Sequence, residues 1–382
     1  MKKTPKALLV FEGGNAPGYS AIAASLSEEG SKRGIEIYAA YEGFRSLTGD
    51  NLQEYRIVRL VHTQRQAYAV NSKKMPAIST YKTFHDGGSQ FRSERYPLFK
   101  EPKKLAAATQ FVKKLGVTHL IGIGGNGTLA GIRQLSDRLD VQAGFMNVSV
   151  DNDIFGDLSI GYLTGAEKGA EICHGLFNDA YTHKRIYFLE MMGRESGRHA
   201  LMSGAASRAH LIILPGFNLS DKILKEIASA LNKENHALIV VAEGYAREAR
   251  SSLAVPMNAA DYFKSQLEAR NLKEGPTRRV VSESYSRYIR GVEPLFLEIA
   301  MASLKAHALF NGFQAGLTEI MPYYLGEYDQ GIRKFSEIRS SNQIDLNYID
   351  LIDRFQIPSL RKYVVKEFKE TCDMQFVCPV TY

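Results

Sequence analysis

The sequence predicts an α/β protein of more than one domain, built on mostly parallel strands. Short apolar runs recur along the chain, most of them are followed by glycine, and helix-patterned segments lie between them. A chain of 382 residues also exceeds what one hydrophobic core ordinarily holds.

The strand-like runs are 7–11, 35–40, 119–123, 143–148, 186–190, 210–214 and 237–242, and the helix-like segments include 19–32, 103–115, 128–139 and 221–232. In parallel α/β sheets ligands bind beyond the carboxyl ends of the strands. The loops at 12–18, 124–128, 149–153, 191–194 and 243–245 are expected there. After about residue 340 the glycine motifs stop and acidic, aromatic and basic residues alternate, which reads as helical packing and a tail.

Composition narrows the class. The chain is 45% apolar and 23% charged, as in soluble globular enzymes. Its longest apolar runs are strand-sized, so a membrane span is not expected. The basic start MKKTPK precedes an apolar run too short for a signal peptide. The cysteines, Cys173, Cys372 and Cys378, lack metal-binding spacing and are odd in number, which fits a reduced, cytoplasmic protein. The net charge of +7 is spread along the chain and no nucleic-acid module is present, so neither nucleic acid nor membrane is expected as a partner. Small anionic substrates held by a few arginines account for the balance.

The loops carry chemistry. Gly124-Gly125-Asn126-Gly127-Thr128 follows a strand, and only glycine lets backbone N–H groups approach a phosphate without a Cβ in the way. Thr128 is placed where a helix N-cap belongs. Glu12 to Gly18 (EGGNAPG) repeats the pattern with Gly14, although an ordinary strand-to-helix turn would use the same residues. Asp151 and Asp153, two apart, would share one side of an extended loop, one as base and one at a metal; a capped turn also favours Asp and Asn. Met191-Met192-Gly193-Arg194, with Arg185 upstream, is expected to place guanidinium groups near one strand end, and Arg278, Arg279, Arg287 and Arg290 form a second set; the planar fork of arginine suits phosphate. Glu243 would accept from a sugar hydroxyl. The nine histidines form no metal-ligand set.

Together, GGNAPG, GGSQFRSERYP, GGNGT, SVDNDIFG, RIYFLEMMGR, AEG and RYIRGVEP resemble the phosphofructokinase family in order and spacing, over most of residues 5–320. The resemblance implies two Rossmann-like lobes with an active-site cleft between them. Residues 1–162 plus about 290–340 would bind the phosphoryl donor. Residues 163–289 plus about 341–382 would bind the sugar phosphate and carry the C-terminal helical tail. It implies that Gly14, Arg95, Gly125, Asn126, Gly127 and Thr128 line the donor site, and that Ser149 and Asp151 face the acceptor hydroxyl, with Asp151 as general base. Asp153, with Asn126, would hold Mg²⁺. Met192, Gly193, Arg194 and Glu243 would grip the sugar phosphate, Arg194 also bearing transition-state charge, with Arg290 at its 6-phosphate end and Arg287 lining the acceptor end. Arg185 and Arg278 or Arg279 would come from a neighbouring subunit, which makes the protein a homo-oligomer, dimer or tetramer.

The implied reaction moves a phosphoryl group from ATP to fructose 6-phosphate. Pyrophosphate as donor, another phosphorylated sugar as acceptor, or a ligand-binding sensor with little activity are the alternatives. The departures from the family pattern motivate them: Asn126 stands for Asp in GGDG, Asn15 for Asp in GGDAPG, and Arg287 for a histidine. Thr48 falls at an adenine-stacking aromatic position and Ala24 at an effector-site arginine. Gly127 favours ATP, whereas Val148 matches neither donor class.

Overall fold

The structure is a computed structural model and describes residues 4–52, 55–63, 76–285, 287–340 and 349–371. The chain opens with β1 (Lys6–Phe11), α1 (Tyr19–Lys32), β2 (Glu36–Ala40), α2 (Phe44–Thr48), β3 (Ile57–Val61) and β4 (Ala77–Ser79). It continues through α3 (Pro102–Leu115), β5 (His119–Gly124), α4 (Asn126–Ser136), β6 (Gln142–Asn147) and α5 (Tyr162–His183). Next come β7 (Arg185–Met191), α6 (Arg198–Ala206), β8 (Leu211–Ile213), α7 (Asp221–Asn232), β9 (Ala237–Ala242), α8 (Arg247–Ser251), α9 (Ala259–Glu268) and β10 (Arg279–Ser284). The last elements are α10 (Phe296–Gln314), β11 (Ile320–Gly326), β12 (Asp329–Lys334), α11 (Ile349–Ile352) and α12 (Pro358–Thr371). Cys372 and Cys378 lie outside the described residues, as does the tail at 341–348 and 372–382.

Two compact units divide the chain: Met1–Gly165 with Arg287–Ser341, and Ala166–Ser286 with Asn342–Tyr382. The first holds an eight-stranded sheet in the order β12-β11-β6-β5-β1-β2-β3-β4. Its centre is parallel, β1 pairing with both β2 and β5, and β5 with β6. The β2–β3 and β11–β12 pairs are antiparallel. Residues Ala7–Phe11 are fully buried, as expected of a parallel strand covered on both faces. From β1 the chain steps to β2 on one side and later returns at β5 on the other. Strand order therefore reverses between β1 and β5, and the loops after these two strands open at the switch point, where α/β sheets bind ligands.

The second unit is an all-parallel sheet in the order β10-β7-β9-β8. The central strand β9, ALIVVA, is buried throughout. Ile223, Leu224, Ile227, Ala228 and Leu231 of α7 recur at helical spacing and join the same core. Both units are thus mixed α/β with mostly parallel sheets, the fold class expected.

Some elements differ from the sequence reading. α4 starts at Asn126 and not at Thr128, because extended Gly125 is its N-cap; it stops at Ser136, before a turn at 137–139. The 22-residue α5 escaped the pattern because Gly165, Gly169 and Gly175 interrupt its apolar periodicity. Gly169 has a packing reason: a Cβ there would meet Ser203 Oγ and lie 3.0 Å from the His199 ring. Among the described residues no helix is long and apolar enough to cross a membrane.

Candidate active site

In the first unit, three loops at carboxyl ends of strands carry the expected residues. After β1, Gly13 takes φ +102° and Gly18 takes φ +95° as the N-cap of α1. Gly14 is needed for a close approach: a Cβ there would lie 2.6 Å from Arg290 Nη1 and 3.8 Å from Arg95 Nη2. Two of the expected arginines therefore bracket Gly14. Arg290 Nη1 also donates to Asn15 O at 2.8 Å, tying Arg290 to the first glycine loop.

After β5, the N-terminus of α4 is at Asn126. Gly127 is exposed, and a Cβ on it would meet nothing within 4 Å. Open space beside helix N–H groups suits an anion. Thr128 sits inside the helix and is buried. Its hydroxyl donates to Glu12 O at 3.1 Å, so the N-cap role expected of Thr128 belongs to Gly125.

After β6, Ser149 Oγ accepts the Asp151 N–H at 3.0 Å, and Asp151 is buried. A Cβ on Gly125 would lie 3.8 Å from Ser149 Oγ, so this loop and the glycine loop are neighbours. The extended-loop argument for Asp151 and Asp153 does not hold: Asn152 between them is left-handed at φ +49°. Its side-chain oxygen accepts from Ser159 N at 3.0 Å, which fixes the turn. Asp153 is instead held by Asn126, whose Nδ2 donates to Asp153 Oδ2 at 2.7 Å.

That pair decides what a magnesium ion would find. Among the described residues no three His, Cys, Asp or Glu side chains group as metal ligands. One carboxylate, Asp153, is present beside an amide. Magnesium is commonly bound through one or two carboxylates plus substrate phosphates and water. The set fits an ion carried in on a phosphorylated donor and does not fit one held by the protein alone.

In the second unit, Met192, Gly193 and Arg194 follow β7, and Glu243 follows β9. Arg194 is left-handed at φ +48°, and its N–H donates to Glu243 Oε1 at 3.0 Å. Gly244 is required because a Cβ would collide with Arg194 O. Met192, Gly193, Arg194 and Glu243 thus form one corner at the carboxyl end of this sheet.

The arginine set is split. Arg185 is the first residue of β7, three residues beyond whose last lies Arg194, and β10 pairs in register with Arg279 opposite Arg185. A seven-residue strand spans roughly 20 Å, so the expectation that Arg185 and Arg194 share a strand end fails. Arg185 Nη1 contacts Asp179 and the Tyr187 hydroxyl, each at 2.8 Å. The Tyr187 hydroxyl bond, then Arg185 and His183, hold the Asp179 carboxyl below its usual range. Arg278 is engaged in its own unit: it donates to Leu231 O and Glu234 O at 3.0 Å and to Asn232 Oδ1 at 3.1 Å, closing the end of α7. Arg279 is exposed and paired with Glu274 at 3.4 Å, and Arg287 is exposed.

Sequence reasoning missed Glu12, which is buried and accepts Phe44 N–H at 2.9 Å and Tyr96 N–H at 2.8 Å. Burial pushes its carboxyl up to about 7 against the pull of those two bonds. Its signal was an acid where a strand ends in glycine.

The Phosphofructokinase family model matches residues 6–312. The chain belongs to the phosphofructokinase family. Among its relatives, the ATP-dependent 6-phosphofructokinase of Vibrio campbellii is 31% identical over 238 residues, 62% of this chain and 68% of that one. The probable ATP-dependent 6-phosphofructokinase of Mycoplasma pneumoniae is 27% identical over 318 residues, 81% and 85% of the two chains. In fold, the pyrophosphate-dependent phosphofructokinase of Nitrosospira multiformis superposes with a TM-score of 0.73 at 18% identity, covering 95% of this chain and 92% of that one. The phosphofructokinase fold and the strand-end loops described above therefore go together in this chain.

Proposed function

We propose that this chain is a phosphotransferase that moves the terminal phosphoryl group of ATP to a sugar phosphate, with the 1-hydroxyl of fructose 6-phosphate as the leading acceptor. The observation that carries this reading is the pair of glycine loops at the β1/β5 switch point, with Asp151 and Ser149 on the adjoining loop. In the proposed reaction the acceptor hydroxyl gives its proton to Asp151 as its oxygen bonds to phosphorus, and the donor's bridging P–O bond breaks. Ser149 holds the Asp151 backbone. The α4 N-terminus at Gly125, Asn126 and Gly127 would cradle donor phosphates, and Arg95 would bind them from the side of Gly14. Arg194, Met192, Gly193 and Glu243 are proposed for the sugar phosphate, with Arg287 at its far end, and Arg290 would set the first loop. Asp153 would hold magnesium, which on binding supplies positive charge against the donor phosphates.

The test is a coupled assay crossing ATP, ADP and pyrophosphate with several sugar phosphates. Asp151→Asn should lower turnover by about 10²–10⁴ with little change in acceptor KM; unchanged turnover removes Asp151 as the base. The Asn126 amide on Asp153 supports a second reading, in which the chain binds a phosphorylated ligand with little turnover. Calorimetry distinguishes the two, because a sensor binds tightly and turns over with no donor in the matrix.

A further inference from the structure

We propose that Glu12 is a positioning residue for the donor loops, its carboxylate clamping the start of α2 and the Arg95 segment onto the first glycine loop. This rests on reading those loops as the donor site, and it adds a residue to which the motif resemblance gives no role.

The geometry is specific to a carboxylate. One oxygen takes the Phe44 N–H and the other the Tyr96 N–H. A carboxylate can accept on both oxygens, whereas an amide of the same length has one acceptor and turns an NH₂ group toward the second N–H. The backbone of Glu12 is also fixed: its N–H reaches Ile123 O at 3.0 Å, and its carbonyl takes the Tyr19 and Thr128 hydroxyls, each at 3.1 Å. Gly43, at φ +57°, leaves the space the carboxylate fills, since a Cβ there would collide with Glu12 Oε2 and Phe11 O.

Arg95 lies between two anchored neighbours. Gly13 N–H donates to Glu94 O at 3.1 Å on one side, and Tyr96 N–H reaches Glu12 on the other. That fixes the peptide from which the Arg95 guanidinium reaches toward Gly14. The charged and titratable groups facing the Glu12 carboxyl are Glu94 and Arg45, paired with each other at 2.5 Å, and Tyr19.

Glu12→Gln and Glu12→Asp test the proposal, with Arg95→Ala as the reference for the donor site. Thermal melts, donor and acceptor KM, and calorimetric binding of Mg-ATP and of inorganic pyrophosphate are the measurements. For Glu12→Gln the donor KM and Kd should rise about tenfold with acceptor KM unchanged. Wild-type donor affinity in Glu12→Gln overturns the proposal, and so does a rise in both KM values together with a lowered melting temperature. If Glu12→Gln fails to fold, Glu12→Asp, which keeps the charge and shortens the reach, gives the same readout; failure of both to fold overturns the proposal in favour of a purely structural role. If Arg95→Ala leaves donor binding unchanged, the donor-site reading itself fails. If Arg95→Ala loses binding while Glu12→Gln keeps it, only the Glu12 proposal falls.

Discussion

A single side chain, Asn126, sets the electrostatics at the α4 N-terminus. Its amide sits 2.7 Å from Asp153 Oδ2, close enough that a carboxylate in its place would face Asp153 directly. Like charges at that distance repel unless a cation lies between them. Asn126→Asp should therefore lower the melting temperature without magnesium and recover it as Mg²⁺ is added, with a lower Mg²⁺ requirement for ATP turnover. If the site has adapted to a neutral amide, the new charge repels phosphate oxygens and donor binding falls instead. No change in either quantity places Asn126 outside the metal's reach.

Glu12 makes a second prediction at this scale, about stability. Its carboxyl lies at about 7 in the fold against 4.5 ordinarily, so between those values the folded state keeps a proton that the unfolded chain releases. Wild-type stability then falls as pH rises from about 4.5 to about 7, by roughly 3 kcal/mol at most. Glu12→Gln lacks that loss, so its melting temperature should gain on wild type as pH is raised across the window. Parallel melting curves would contradict this. Glycines and acids at strand ends were legible in the sequence because each is a local signal. Asn126 and Asp153 were brought to one site by the family resemblance, whereas the Glu12 clamp was not read, because Phe44 and Tyr96 are distant in sequence and meet Glu12 only in the fold.

Among the elements, α1 and α7 were readable to the residue. A left-handed Gly18 starts α1, and Ser220 caps α7 through Ile223 N at 3.4 Å. β3, β4, β10, β11 and β12 were not read: they lie at or next to the edges of their sheets, and β12, DQGIRK, has no buried residue and no apolar alternation. α10 shows what an element-level contact contributes. Its Lys305 is fully buried, with Nζ at 2.7 and 2.9 Å from the Asp157 oxygens and 2.9 Å from Leu158 O. Asp157 also accepts from Asn147 Nδ2 and Tyr324 N at 2.9 Å, which joins α10 to β6, β11 and the loop after Asp153. Lys305→Met should cost about 3–5 kcal/mol by leaving Asp157 buried without its cation. A loss below about 1 kcal/mol in denaturant melts would mean that the site hydrates, and the pair would not be the tie described.

At the scale of the whole molecule, the sequence exposed the alternating α/β pattern but not the end of the second sheet at which each arginine would lie. The register of β7 with β10 puts Arg185 and Arg279 side by side at the amino end of that sheet, while Arg194 and Glu243 follow its carboxyl ends. In a single chain these two arginines stand a strand's length from the corner built by Arg194. If they serve phosphate binding, they do so in another copy of the chain, as the family resemblance implies. Subunit mixing tests this. Arg279→Ala and Asp151→Asn, each with greatly reduced turnover alone, should recover activity when unfolded and refolded together, because about one shared site in four would draw both intact groups from different subunits. Refolding each variant by itself controls for recovery of fold. If the mixture shows only the sum of the separate activities, then Arg279 acts within its own subunit or not at all. A charge-keeping Arg279→Lys that restores turnover without mixing would show that position 279 contributes charge to the site and is not a scaffold residue.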